Sequence, residues 1–248
     1  YGKVVDSTLD KRLRHYLKLK IRYGFYEFNS TTYAPYCLTG LLNLADFSQD
    51  AEIKSLATQA SQKLLKEELL LLTNNKGVLF PTAGRNYPGK YNDAYGANHN
   101  NLIYMLTGLG QVENGPSHAG AFLATTTVPV DDVISSWQPK LDTVYTQGHT
   151  LQDGINNINN TMSPKDKVIF QWSSGAYFHP DVAQSTFQLL KDLNLWGHFE
   201  FADFRQFSFL PSNLASGVAE IASPISKSSG IYNPTIAVFK NKSVTLSS

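Results

Sequence analysis

The sequence predicts a mainly α-helical protein whose C-terminal end turns to β-structure. Two observations lead to this expectation. Apolar side chains recur at helical spacing through most of the chain, and the stretch from Ile231 to Leu246 instead mixes β-branched residues with Asn-Pro and Asn241-Lys242 turn signals. The segment from Leu9 to Tyr23 carries Leu9, Leu13, Tyr16, Leu17 and Ile21 with Lys and Arg between them, an amphipathic pattern stopped by Gly24. Thr31 to Phe47 is apolar almost all round, which predicts a buried helix, with Pro35 tolerable in its first turn.

After Asp46-Phe47-Ser48 a longer helix is expected, with Asp50 and Glu52 at its positive end and Ile53, Leu56, Ala57, Ala60 and Leu64 along one stripe. Gly77 to Ala97 is longer than the usual connection of about 4–6 residues. Its aromatics Tyr87, Tyr91 and Tyr95 predict an ordered wall of a site. Helices are expected over Asn98–Leu109, Val130–Tyr145 and Pro180–Leu195, His118–Thr125 is a short run of small residues, and 148–168 reads as loop. The expected organisation is a helical domain over 1–225 and the beginning of a β-strand domain over 226–248, with the natural protein continuing into further domains.

Composition narrows the function. Lys and Arg number 21 against 20 Asp and Glu, so no global field favours nucleic acid. No apolar run is long enough to span a bilayer. Cys37 stands alone, which excludes an internal disulfide and a cysteine zinc site and predicts a buried thiol. No phosphate loop, dinucleotide fingerprint or ligand-spaced histidine pair is present, so neither a cofactor nor a metal is expected. Aromatics at 12% suit the stacking faces of a sugar cleft as well as a core. The triplets at Asn29, Asn159 and Asn241 fit the N-glycosylation pattern and point to a secreted, cell-surface or periplasmic chain.

Three polar-aromatic clusters each open an apolar helix: Gly24 to Ser30 with Glu27 and Asn29, Asn98-His99-Asn100-Asn101, and Gln171 to Pro180 with Trp172, Tyr177 and His179. If those helices line the inside of a ring, their N-terminal ends converge on one canyon. Tyr177 and His179, two residues apart, share a face in an extended segment and can divide proton donation and acceptance. Packing and capping account for the same residues equally well.

The helix pattern over about residues 8–200, the Asn98-His99 pair, and Tyr177 and His179 ahead of a helix resemble the α/α-toroid polysaccharide lyases, the alginate-, heparin- and chondroitin-type group. The resemblance implies an incomplete (α/α) toroid of helical hairpins with the start of a β-sandwich domain, and cleavage of uronate-containing glycans by β-elimination. It implies Asn98 as the residue that neutralises the carboxylate, His99 as base or stabiliser, and Tyr177 as base or acid supported by His179. Glu27, Asn29, Arg85, Tyr87, Tyr91, His118 and Trp172 are the expected substrate-binding residues. The spacing between Asn-His and the Tyr does not match that group, and Arg85 either holds a substrate carboxylate or pairs with Asp93. Two alternatives stand beside this reading: an inverting glycoside hydrolase using carboxylates such as Glu27, Asp93 and Asp153, and a non-catalytic glycan-binding or assembly domain.

Overall fold

The computed structural model describes residues 7–25, 30, 33–70, 72, 97–110, 112, 114–136, 142–148, 151–174, 178–222, 235–241 and 245–247. The fold is mainly helical, and it divides into two compact units, Tyr1–Gly148 with Thr235–Ser248, and His149–Pro234.

The first unit begins with α1 (Ser7–Tyr23), which ends where Gly24 takes a left-handed φ of 86°. Helix α2 (Tyr33–Phe47) starts behind Ser30, whose Oγ accepts from Tyr33 N at 3.1 Å. A tight turn leads to α3 (Ala51–Leu70), capped by Asp50, whose carboxylate accepts from Ile53 N at 2.9 Å. Asp50 also pairs with Arg14 of α1, while Glu52 takes Arg14 Nε at 3.1 Å and Lys18 Nζ at 2.7 Å. These surface pairs orient α1 on α3, but burial of Leu17, Leu38, Leu42, Leu64 and Leu65 supplies most of the driving force.

Helices α4 (Ala97–Thr107) and α5 (His118–Thr125) pack on α2 and on each other, and α6 (Asp131–Ser136) leans on α3. Helices α2 and α4, each read from the sequence as helical, are in contact. Helix α2 is not buried all round, however: Tyr33, Tyr36 and Phe47 are exposed. Close approach of α4 and α5 depends on Gly120, where a Cβ would meet Ser117 Oγ at 2.6 Å and Met105 Sδ at 2.8 Å.

A three-stranded antiparallel sheet completes this unit in the order β1 (Thr143–Gly148), β2 (Thr235–Lys240), β3 (Thr245–Ser247). Thr143 pairs with Lys240 and Gly148 with Thr235, and Val238 reaches the helical core with no exposed surface. The C-terminal strands thus join β1 in the first unit. The single helix expected over Val130–Tyr145 is a correction: a helix covers 131–136, while 143–148 are a strand. The run Thr143-Val144-Tyr145-Thr146 has strand propensity, and the partner that realises it is nearly a hundred residues away in the chain.

The second unit contains α7 (Leu151–Thr161), α8 (Pro164–Ser173), α9 (Pro180–Asp192), two 3-10 segments (Leu195–Gly197 and Phe199–Phe207) and α10 (Ser212–Ala222). The loop expected over 148–168 is a second correction, since α7 and the first turns of α8 occupy most of it. Ile155 and Ile158 are one helical turn apart and both buried, so a narrow apolar stripe suffices for a helix that is otherwise Asn-rich. Ser163 caps α8, accepting from Asp166 N at 3.3 Å, and Pro164 fills its first turn. Around α9, Phe187 meets Trp196 and Phe204 edge to face at 5.4 and 6.4 Å.

Two substitutions check this account of the first unit. Leu42→Ala, at a site with no exposure, is expected to cost about 2–5 kcal/mol in urea unfolding. Gly120→Ala should cost at least ~1 kcal/mol, because Ser117 must give up the cap it provides to Gly120 N.

Candidate functional site

Four helices of the first unit contribute to one buried polar cluster. Helix α3 supplies Glu68 from its last turn, and α4 supplies His99 from its first. Their side chains meet at 3.0 Å, Glu68 Oε2 to His99 Nε2, with His99 0% and Glu68 1% exposed. Burial raises the Glu68 carboxyl above its ordinary range, and the His99 hydrogen bond offsets part of that rise. In the tautomer in which Glu68 Oε2 accepts from Nε2–H, the imidazole carries its lone pair on Nδ1. Among the described residues neither Nδ1 nor Glu68 Oε1 has a hydrogen-bond partner.

Helix α1 adds Lys20, only 5% exposed, its ammonium lying 5.2 Å from the centre of the Tyr16 ring and 5.8 Å from that of Phe25. Helix α2 adds Cys37, whose thiol feels the charges of both Lys20 and Glu68. Desolvation dominates every shift here: it lowers Lys20 to about 8, raises Tyr16 to about 12 and raises the Cys37 thiol. Cys37 is partly buried rather than fully so, and desolvation still holds its thiol above the ordinary range. With its pKa at about 8, the Lys20 amine keeps its charge at neutral pH.

Of the sequence-derived residues, His99 lies in this cluster and Asn98 beside it in the first turn of α4. Glu27, Asn29, Arg85, Tyr87, Tyr91 and Tyr177 lie outside the described residues. His118 opens α5, exposed, with its ring stacked on Tyr36 at 6.5 Å. His179 and Trp172 belong to the second unit. His179 is the N-cap of α9: Nδ1 accepts from Asp181 N at 3.2 Å and Nε2–H donates to Gln152 Oε1 at 2.6 Å. Both ring nitrogens are thus engaged, and burial holds its pKa below the ordinary value. The Trp172 indole donates to Thr186 at 2.8 Å and packs on Phe201 and on the Ile155–Val182 core.

Lys20 and Glu68 escaped sequence reading, although each interrupts an apolar stripe. Lys20 follows Leu13, Tyr16 and Leu17 on α1, and Glu68 follows Ala57, Ser61 and Leu64 on α3. A charge on the buried face of a helix was the available signal, and neighbouring exposed charges such as Lys18 and Lys66 masked it. Among the described residues no three His, Cys, Asp or Glu side chains are grouped to hold a metal, and no helix is long and apolar enough to cross a membrane.

The buried amine makes a pH prediction. Between about 8, where Lys20 and Lys240 titrate in the fold, and their ordinary 10.5, the unfolded chain binds protons that the folded chain does not, so stability rises with pH. Above roughly pH 9–10 the raised Cys37 and Tyr16 oppose this, since their unfolded forms then ionise first. The urea midpoint should climb from about pH 7 to about pH 9, and Lys20→Met should raise it at neutral pH and flatten the climb, Lys240 retaining the remainder. A midpoint that falls over this range, or a Lys20→Met variant less stable than the parent at pH 7, would contradict the assignment.

No family model, curated protein or solved structure matches this chain, so the geometry of the cluster is the basis on which its function is read.

Proposed function

We propose that this chain is an extracytoplasmic carbohydrate-active domain of the α/α-toroid type that cleaves uronate-containing glycans by β-elimination, with His99 as its base. The observation that carries the reading is the Glu68–His99 contact: Glu68 Oε2 lies 3.0 Å from Nε2, and Nδ1 has no hydrogen-bond partner among the described residues. A base held in one tautomer by a buried carboxylate is what proton abstraction requires. Nδ1 takes the C5 proton α to the uronate carboxylate, the electron pair forms the C4–C5 double bond, and the C4–O bond breaks. The imidazolium then returns the proton to the leaving oxygen. Lys20, buried on α1 and charged at neutral pH, favours the anionic substrate and the enolate charge that develops, and Asn98 assists from the start of α4.

A second reading has an observation of its own. His99 has no exposed surface, which suits a pair that ties α3 to α4 inside a non-catalytic glycan-binding domain.

The two readings separate when the full chain is incubated with uronate-containing and neutral polysaccharides and followed by the absorbance of an unsaturated uronate. Elimination predicts that absorbance, and a loss of roughly 10²–10⁴ in kcat for His99→Asn and Glu68→Gln variants shown by urea unfolding to be folded. New reducing ends without the absorbance would replace elimination by hydrolysis. Retained glycan binding with neither product would establish the second reading.

A further inference from the structure

The second unit carries a groove of about 250 Å³ whose polar lining includes Asn159 of α7, Lys165 and Lys167 of α8, Asp181 and Gln188 of α9, and Ser212 at the start of α10. Its polar side chains are already held in place. Gln171, with no exposed surface, donates from Nε2 to Asn159 Oδ1 at 2.8 Å, and Asn159 Nδ2 donates to Asp181 Oδ2 at 3.0 Å. Across the groove, Ser212 Oγ donates to Gln188 Oε1 at 2.8 Å and Gln188 Nε2 to Asp192 Oδ1 at 2.7 Å. Both carboxylates of the groove are thus steadied by side-chain amides. The ammonium groups of Lys165 and Lys167 have no hydrogen bond or ion pair among the described residues.

We propose that this groove binds one ring of an acidic saccharide, with the sugar's carboxylate against Lys165 and Lys167 and its hydroxyls on Asp181, Gln188 and Ser212. The donor and acceptor set decides the class. Sugar hydroxyls both donate and accept, and carboxylates, amides and a hydroxyl lie side by side to receive them. The apolar part of the lining, Pro164, Leu189 and Leu193, offers a surface for the C–H face of the ring. The volume lies just below the ~300–1,000 Å³ of pockets for drug-sized ligands, which fits a single ring better than a chain of them. Groups fixed before binding lose little conformational entropy when the ligand arrives, so a small polar ligand gains more from them than from mobile side chains. The site goes beyond the proposed elimination, because every residue in it belongs to the second unit and none takes part in proton transfer.

The test is titration calorimetry of the full chain with glucuronate and with glucose, on the parent protein, a Lys165→Ala/Lys167→Ala variant and Gln188→Ala. Lys165 and Gln188 are exposed and Lys167 is partly so, so these substitutions remove no core packing, and urea unfolding of each variant checks it directly. The parent should prefer glucuronate by about tenfold, the lysine variant should lose that preference while keeping glucose, and Gln188→Ala should weaken both sugars. Failure of glucuronate to bind the parent, equal affinity for the two sugars, or an affinity for glucuronate unchanged in the lysine variant would each overturn the proposal. Repeating the titration on His99→Asn keeps the outcome separate from the elimination reading, since the groove binds glucuronate there whether or not the chain is a lyase.

Discussion

A carboxylate and an imidazole meeting at 3.0 Å inside a shell of leucines constrain the first unit more than any other contact. Removing either partner leaves the other as an uncompensated buried polar group, a loss of about 1–3 kcal/mol. Helices α3 and α4 are consequently tied at one end, Glu68 being in the last turn of one and His99 in the first turn of the other. Lys20 is lowered by its own burial yet remains charged at neutral pH, and both it and Glu68 act on the Cys37 thiol. A core built only for stability would do better with apolar side chains of similar volume at these positions.

How much was legible in the sequence depends on where the information lay. Helices α1 to α4 could be read because their apolar period is local and their ends carry local signals: Gly24 with its positive φ, Asp50 as a cap, and Gly108 and Gly110 after α4. Strand β1 could not, because Thr143 to Gly148 become a strand only through pairing with 235–240. Helix α7 was hidden for another reason. Its polar face is dominated by Asn, a residue that competes for backbone hydrogen bonds and normally marks turns.

The site divides in the same way. His99 was visible because an Asn-His pair at a helix start is unusual, whereas Glu68 gains its meaning only from a partner 31 positions away. His179 was visible for a comparable reason, and the structure gives it the capping arrangement that the sequence had left open. Its ring belongs to a polar framework in the second unit that runs through Asp181 and Asn159 to Gln171 and links α7, α8 and α9. Asn159, inside the glycosylation triplet at 159–161, thus has its amide committed to Asp181. A residue identified by type alone can serve a cap, a network or a reaction, and only its partners distinguish these roles.

The central claim is that Glu68 holds His99 as a neutral imidazole with its proton on Nε2 and a lone pair on Nδ1. Nitrogen-15 NMR of the ring, read through its two-bond couplings in the intact protein at neutral pH, measures this directly. The account predicts a protonated Nε2 and an unprotonated Nδ1, with the preference weakened in Glu68→Gln. A proton on Nδ1 instead, or on both nitrogens throughout the pH range in which the fold persists, would leave His99 without a lone pair to act as a base and would contradict the claim.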